Sequence, residues 1–445
     1  MPGSSSSRGA ALLIAIVSIA VVTALTVDLA YQARVTLQAS ANARDELRAE
    51  WQARSGIGFS RLVLHFQQQL DQTAGVAGRA MTGGAAGLAG AAGQTGATGS
   101  TATGTAGAAT ASGALAGLTG LGGGASLSVR LWNLVPVDST IAGMLLGDAA
   151  SAPADAKEPA RAREPGADGS FQAKIEDEDG KINVRQLNGL GALPAAQAAR
   201  LTELIKDPRY DFLFDEDDAN GIRVSRRDLL GYLRDWVDED DVTSTYTGNL
   251  LQPFESGFGD ENGVYQRLDD RYQTKNAWYD SLSELYLVAG VSDTFMTAFG
   301  NSLTVYPDVN APIDVNAADR VGLMVNALVM SDPPGIPQPP MLDPAFDQRL
   351  DAALMLARPL PFMSMSPQQF ATALQSLGIK VQQIYLQPTN TDRRSAFGDR
   401  STTFRIRSTG RAGDVTKNLD AVVTFDQRAG ALAQDLGRVV HWNEE

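Results

Sequence analysis

Cysteine is absent from the sequence. That excludes a disulfide framework, a thiolate nucleophile and a thiolate-held metal, and it is compatible with either side of a membrane. Histidine is nearly as scarce: the two, His65 and His441, are too few and too distant in sequence for a zinc site. Positive charge is in deficit as well. Against 51 Asp and Glu stand 37 Lys and Arg, giving a formal net charge of -14 and an isoelectric point of about 4.7. Nucleic-acid binding draws its affinity from clustered Lys and Arg on phosphate, so this balance disfavours it and suits a solvated surface or a calcium binder. The short motifs of common catalysis are missing too, with no Gly-x-Ser-x-Gly elbow, phosphate loop or His-Glu-x-x-His. The glycine-rich "GFGDENG" (Gly257 to Gly263) lacks the preceding strand and following helix of a cofactor loop. No catalysis is expected.

What the chain does have begins at its start. "GSSSSRGAALLIAIVSIAVVTALTVDLAY" (Gly3 to Tyr31) runs from a short polar leader into an uncharged stretch, Ala10 to Val27, that Asp28 ends. About 18 apolar residues make a helix of about 27 Å, near the lower limit for a bilayer core. A signal peptide would stop there at a small-residue cleavage site. Here the helical pattern continues through Leu29, Val35, Leu37, Leu47, Trp51, Ile57, Phe59, Leu62, Val63 and Phe66, spaced among polar residues. One helix of about 60 residues, about 90 Å long, is expected, with its first third in membrane. Arg8 before the apolar run holds the amino-terminal end in the cytoplasm, and the rest then lies outside the inner membrane.

From Thr73 to Ser126 the chain is almost wholly Gly, Ala, Thr and Ser, and reads as a flexible insertion. "GDAASAPADAKEPARAREPGADG" (Gly147 to Gly169) reads as a second loop. "SLSVRLWNLVPV" (Ser126 to Val137) alternates like a strand. "SFQAKIEDEDGKINV" (Ser170 to Val184) reads as a hairpin turning at Asp179-Gly180. Helical patterns dominate from Ala192 to Leu377, several opened by a Ser or Asp cap, and strands return at "TFRIRSTGRA", "LDAVVTFDQ" and "GRVVHWN". The order predicts an α+β fold, with an antiparallel sheet split by a large inserted all-α domain. The expected divisions are 1–9 leader, 10–72 helix, 73–126 insertion, 127–190 first part of the sheet, 191–380 inserted domain and 381–445 second part of the sheet.

Carboxylates gather in loops beside helices. "FDEDDANGIRVSRRDLL" (Phe214 to Leu230) has Glu216, Asp218, Asn220 and Gly221 at the spacing of an EF-hand loop, but Arg223 and Arg227 stand at its eighth and twelfth positions, which argues against one. "DWVDEDD" (Asp235 to Asp241) and "FGDENGVY" (Phe258 to Tyr265) are the better pair of loops to converge on one hard cation. Asp238 and Asp240 follow a helix end with carbonyls short of partners, and Asp260 and Glu261 sit between Gly259 and Gly263. These four carboxylates are the expected calcium ligands.

The same residues, in this order, resemble the minor pseudopilin K family of type II secretion systems. "RGAALL" is similar to its prepilin peptidase site, "GKINV" to its Gly-Lys/Arg-x-Asn segment, "DWVDED" to "DWIDxD", "GDENGVY" to "GAED..Y", "SLSELYLVAG" to "S..EL..V.G" and "IDVNAAD" to "INVNTA". The resemblance covers most of the chain outside the Gly/Ala/Thr insertion. Its departures are Ala10 as first mature residue and Asn262 where an acid would stand. It implies a pseudopilin-type sheet, cleavage by prepilin peptidase between Gly9 and Ala10 with methylation, and a single-pass inner-membrane protein whose head lies in the periplasm. It further implies that the head caps the tip of the pseudopilus with I- and J-type minor pseudopilins and binds no nucleic acid. Ordinary pilins carry a glutamate at mature position five, paired with a neighbour's amino terminus; here that position is Ile14. A carboxylate at membrane depth is costly unless paired, and a topmost subunit has no neighbour above to supply the amine. The alternative is a helix-hairpin-helix DNA-binding protein of a competence apparatus, to whose hairpin "IDVNAADRVGLMVNAL" is similar. That segment lacks a glycine-flanked basic loop for phosphate.

Overall fold

The computed structural model describes residues 6–83, 128–134, 136–147, 169–217, 221–268, 270–316, 320–358, 363–386, 396–425 and 436–444. A single helix, Ser6–Gly83, opens the chain. It outruns the expected end at residue 72 because Ala, Arg and Met continue to favour helix and no proline intervenes. The remainder of the Gly/Ala/Thr insertion, and the polar stretch after Gly147, lie outside the described residues. The segment Leu12–Asp71 is long and apolar enough to cross a membrane, and its most apolar window is not buried against the rest of the protein.

Burial on this helix starts at Ala49 and follows one stripe: Ala49, Ala53, Ile57, Ser60, Leu64 and Gln67. The i, i+4, i+7 spacing puts these on one face, and that face lies on the sheet. Of the large residues in the sequence pattern, Leu29, Leu37, Leu47 and Trp51 are exposed, whereas Ile57, Phe59 and Val63 are buried in that contact. Small residues, Ala49 and Ala53, stand where backbone approaches backbone most closely. A Cβ on Gly410 would lie 2.0 Å from the carbonyl oxygen of Ala49 and 2.4 Å from the amide nitrogen of Ala53.

The sheet has five strands: β1 (Val137–Asp138), β2 (Gly169–Asp177), β3 (Thr403–Ala412), β4 (Val415–Thr424) and β5 (Arg438–Glu444). Each pairs antiparallel with the next in this order. The register runs from Phe404 opposite Asp177 to Ala412 opposite Gly169 between β3 and β2, and from Thr403 opposite Thr424 to Ala412 opposite Val415 between β3 and β4. Phe171, Ile175, Phe404, Ile406, Ala421 and Val423 meet Ala53, Ile57 and Leu64 of the helix in one core. All of residues 178–402 therefore interrupt a simple meander between β2 and β3.

Two sequence expectations fail at the entry to this interruption. β2 and the segment after it do not form a hairpin. Ile182–Asn183 pairs parallel with Leu303–Thr304, while the neighbour of β2 is β3. The Asp179 carboxylate accepts from the Thr403 amide at 2.9 Å, which ties the would-be turn to a distant strand instead of closing it locally. "SLSVRLWNLVPV" is likewise not one strand: Leu131–Leu134 is a helical turn between Ser128–Val129 and Val137–Asp138. The Gln67 side chain accepts from the Leu131 amide at 2.8 Å, and Trp132 packs edge-on to Phe404 with ring centres 4.9 Å apart.

The interrupting block is mainly helical, with short strands among its helices. Helix Leu193–Ile205 is apolar on two faces and serves as its partition. Ala198, Leu201 and Ile205 join a core with Leu229, Leu233, Trp236, Tyr265 and Phe295, whereas Leu193, Ala196 and Ala199 join a second with Val325, Phe346, Phe370 and Leu374. The capped starts read from sequence recur here. Ser225 accepts from the Asp228 amide at the start of Arg226–Asp235, and Ser366 with Gln369 forms a capping box on Pro367–Ser376. Strands Val242–Tyr246 and Phe254–Asp260 form an antiparallel hairpin against helix Arg226–Asp235.

Candidate metal centre

Helix Arg226–Asp235 buries Leu229, Leu230 and Leu233, and the chain beyond it sinks Trp236 and Val237 into the same core. Trp236 stacks on Tyr279 at an interplanar angle of 10° and meets the edges of Tyr265 and Tyr272. Tyr279 donates to the Leu233 carbonyl at 3.1 Å, which fixes the helix end on this aromatic floor. Gly231 lets the hairpin close over the helix, since a Cβ there would lie 2.4 Å from the Ser244 carbonyl oxygen. The result is that two residues of the helix end, Asp235 and Asp238, sit under the hairpin with almost no access to water.

Glu261 arrives from the other side. The single turn Glu261–Gly263 follows the second hairpin strand, and its Asp260 cap accepts from the Asn262 amide at 2.9 Å. Asp235, Asp238 and Glu261 are 1%, 4% and 1% exposed, and a carboxylate oxygen of each lies within 4.8 Å of the others. Among the described residues this is the one such cluster of potential metal ligands.

One oxygen of each acid is held and the other is not. Asp235 accepts from the Ser244 amide at 2.8 Å, Asp238 from the Ser244 hydroxyl at 3.4 Å, and Glu261 from the Thr274 hydroxyl. Asp235 Oδ2, Asp238 Oδ1 and Glu261 Oε2 have no hydrogen-bond partner, and neither does Asn276 Oδ1, whose side chain adjoins Glu261. Burial pushes the carboxyls of Asp235 and Glu261 up to about 7 and that of Asp238 to about 6. Arg234, 4.0 Å from Asp238, is the nearby cation that opposes the shift. Orphaned buried oxygens cost stability unless a cation or proton meets them. An all-oxygen donor set of three carboxylates and one amide fits a hard cation such as calcium, which takes six to eight oxygens.

Of the four expected ligands, the structure brings Asp238 and Glu261 together and leaves Asp240 and Asp260 outside. Both of the latter are exposed and accept from backbone amides instead, Asp240 from Val242 and Asp260 from Asn262, each at 2.9 Å. Short acidic side chains two residues before an amide favour that local turn over reaching a neighbour. Asp235 was missed because it stands within the helix. Its signal is the i, i+3 spacing to Asp238, beside the buried Trp236 and Val237.

Elsewhere, Ile14 is 67% exposed on the long helix, while Gly9 and Ala10 lie in the same helix and their side chains are outside the described residues. In the EF-hand-like stretch, residues 218–220 are outside the described residues, and Arg223 contacts Asp215. The "IDVN" segment is buried structure: Asp314 pairs with Arg130, and Asn316 bridges to Met365 through its amide and carbonyl at 2.7 and 3.0 Å.

No curated protein matches the chain. One solved structure that it resembles is a chain of the GspK-GspI-GspJ complex from the enterotoxigenic Escherichia coli type 2 secretion system. That match has 14% identity and a TM-score of 0.38, and spans 62% of this chain and 80% of the other. At that score the likeness carries no weight for fold or partners. The family model for type II secretion system (T2SS) protein K matches residues 180–308, the part of the inserted block that holds Asp235, Asp238, Glu261 and their aromatic floor. Over that segment, less than half of its length, the chain is similar to the type II secretion system protein K family.

Proposed function

We propose that the chain is the minor pseudopilin that caps the tip of the type II secretion pseudopilus, a structural subunit and not an enzyme. The observation that supports it most is the protein K match on a block carried by a single long helix that is apolar at its start. Prepilin peptidase cuts between Gly9 and Ala10, the apolar part of the helix anchors in the inner membrane, and the head lies in the periplasm with I- and J-type minor pseudopilins. Export of folded proteins across the outer membrane is the process served. The exposed Leu29, Leu37, Leu47 and Trp51 offer partner helices an apolar surface that the head leaves uncovered.

Calcium, held by Asp235, Asp238 and Glu261 with Asn276 beside them, neutralises the buried acids and staples the segment 235–276 in a chain without disulfides. Co-purification of the full chain in detergent with I- and J-type minor pseudopilins tests the assembly. A single complex of the three is expected, and failure of the chain to join the other two would overturn the reading.

A further inference from the structure

We propose that the outer edge of the hairpin formed by Val242–Tyr246 and Phe254–Asp260 docks an extended, basic segment of a partner protein, which adds to it as a third strand. Main chain, side chain and charge on that edge point the same way.

The Thr247 amide donates to the Pro253 carbonyl at 2.9 Å, on the register that sets Thr245 opposite Glu255 and Tyr246 opposite Phe254. Antiparallel ladder bonds alternate along a strand. Ser244 and Tyr246 therefore turn their amides and carbonyls away from the second strand, and Phe254 and Ser256 turn theirs away from the first. Helix Arg226–Asp235 meets the outward groups of the first strand. The Ser244 amide donates to Asp235 at 2.8 Å, and the Tyr246 carbonyl accepts from Arg227 at 2.5 Å. Nothing among the described residues meets the outward groups of Phe254 and Ser256, and the sheet has no further strand. The outer edge of Phe254–Asp260 is the open one.

That edge also presents an aromatic ring. Val242 faces Asp260 while Ser244 faces Ser256, so Gly257, Phe258 and Gly259 all stand opposite Thr243 in a bulge. A Cβ on Gly257 would lie 2.5 Å from the Thr243 hydroxyl oxygen and 2.9 Å from its carbonyl oxygen, so the bulge is built around that glycine. Phe258 is thrown fully into solvent, at 107% exposure. A bulge that served only to protect an edge would need no phenylalanine at its crest. A strand laid along Phe254 to Ser256 and continued past the bulge runs over that ring.

Charge selects the occupant. Glu255 lies on the open strand, Asp260 ends it, and Glu239, Asp240 and Asp241 lead into the strand beside it. All are exposed, and none has a cation partner among the described residues. Arg234, beneath the hairpin, is committed to the Ser244 hydroxyl at 2.9 Å and to the face of Phe254. These carboxylates repel a second copy of the same edge and attract lysine and arginine.

The test titrates the full chain in detergent with the synthetic peptide acetyl-Lys-Val-Lys-Val-Lys-Val-Lys-amide and two relatives of it. One relative is N-methylated at every residue, which keeps each charge and side chain but removes the amides a strand needs. The other carries glutamate in place of lysine. The basic peptide should bind, and the methylated one should bind about tenfold or more weaker through the loss of main-chain hydrogen bonds. The glutamate peptide should not bind. Hydrogen exchange should slow in Phe254–Asp260 when the basic peptide is bound. Phe258→Ser should weaken that peptide by about fivefold, as loss of an aromatic anchor does. No binding by the basic peptide, equal binding by either relative, unchanged affinity in Phe258→Ser, or exchange slowed only outside Phe254–Asp260 overturns the proposal. The peptide comparison on the wild type decides even where the variant fails to fold.

Discussion

At the scale of single residues, a hydrogen atom at position 410 sets how closely the long helix lies on the sheet. Ala49 and Ala53 are the opposing backbone, so no flexible side chain can move aside for a methyl group. Gly410→Ala should therefore lower stability by about 1–3 kcal/mol, as overpacking does, read as a fall in the denaturant midpoint with an unchanged slope. Ala53→Leu should act in the same direction, because it enlarges the other side of that contact. The acidic cluster makes a second prediction at this scale. Asp235→Ala and Glu261→Ala should abolish calcium-dependent stabilisation, whereas Asp240→Ala, Asp260→Ala and Glu216→Ala should retain it. Titration calorimetry with calcium separates the two groups. Loss of binding in Asp240→Ala with retention in Asp235→Ala would return the site to the residues that sequence spacing favoured. Sequence could name Asp238 and Glu261 because acidic loops after a helix end attract attention. It could not weigh Asp240 against Asp235, because the choice depends on which side of the chain the hairpin covers.

Among the elements, the long helix was the most legible. An uncharged run followed by amphipathic spacing with no proline leaves little else for it to be. Its packing face was legible only in part: Ile57, Phe59 and Val63 of the apolar pattern pack on the sheet, but so do Ala49, Ala53, Gly56 and Ser60, which that pattern does not mark. Hydrophobic periodicity finds the bulky positions of a helix, and here those before residue 52 are exposed while Ile57, Phe59 and Val63 are buried. Ile14 belongs to this scale too. Ile14→Glu should impair assembly, because an unpaired carboxylate at membrane depth costs about 2.5 kcal/mol or more. Normal incorporation of that variant into a pseudopilus would show that a neighbouring amine is available and that the subunit is not topmost. Sequencing of the mature amino terminus should begin at Ala10, and Gly9→Leu should leave the precursor uncut. A start near residue 30 would instead mark removal of a signal peptide.

For the whole molecule, the three cores divide the work. The sheet and helix form one, and the inserted block forms two, on either side of Leu193–Ile205. Because the carboxylates of the candidate metal centre sit beside Leu233, Trp236 and Tyr265 of the block's first core, a cation bound there would act on the head as a ligand of the folded state. Calcium at a hundred times its dissociation constant should add about 2.7 kcal/mol, and chelation should remove it. Thermal melting with calcium and with chelator measures this, and equal midpoints with no calcium by elemental analysis would sink the site.

The sequence by itself determined the membrane-competent helix, the acidic and cysteine-free character, the capped helices of the block and the three closing strands. Each of these rests on local chemistry: hydropathy, caps and strand alternation act within a few residues of themselves. Tertiary structure alone decided that β2 pairs with β3 across more than two hundred residues and not with the strand after its apparent turn. It also decided that Asp235 and not Asp240 joins the buried acids. In both cases the sequence leaves a local alternative open. Only burial of an apolar face, or the cost of leaving a buried carboxylate without a partner, separates them.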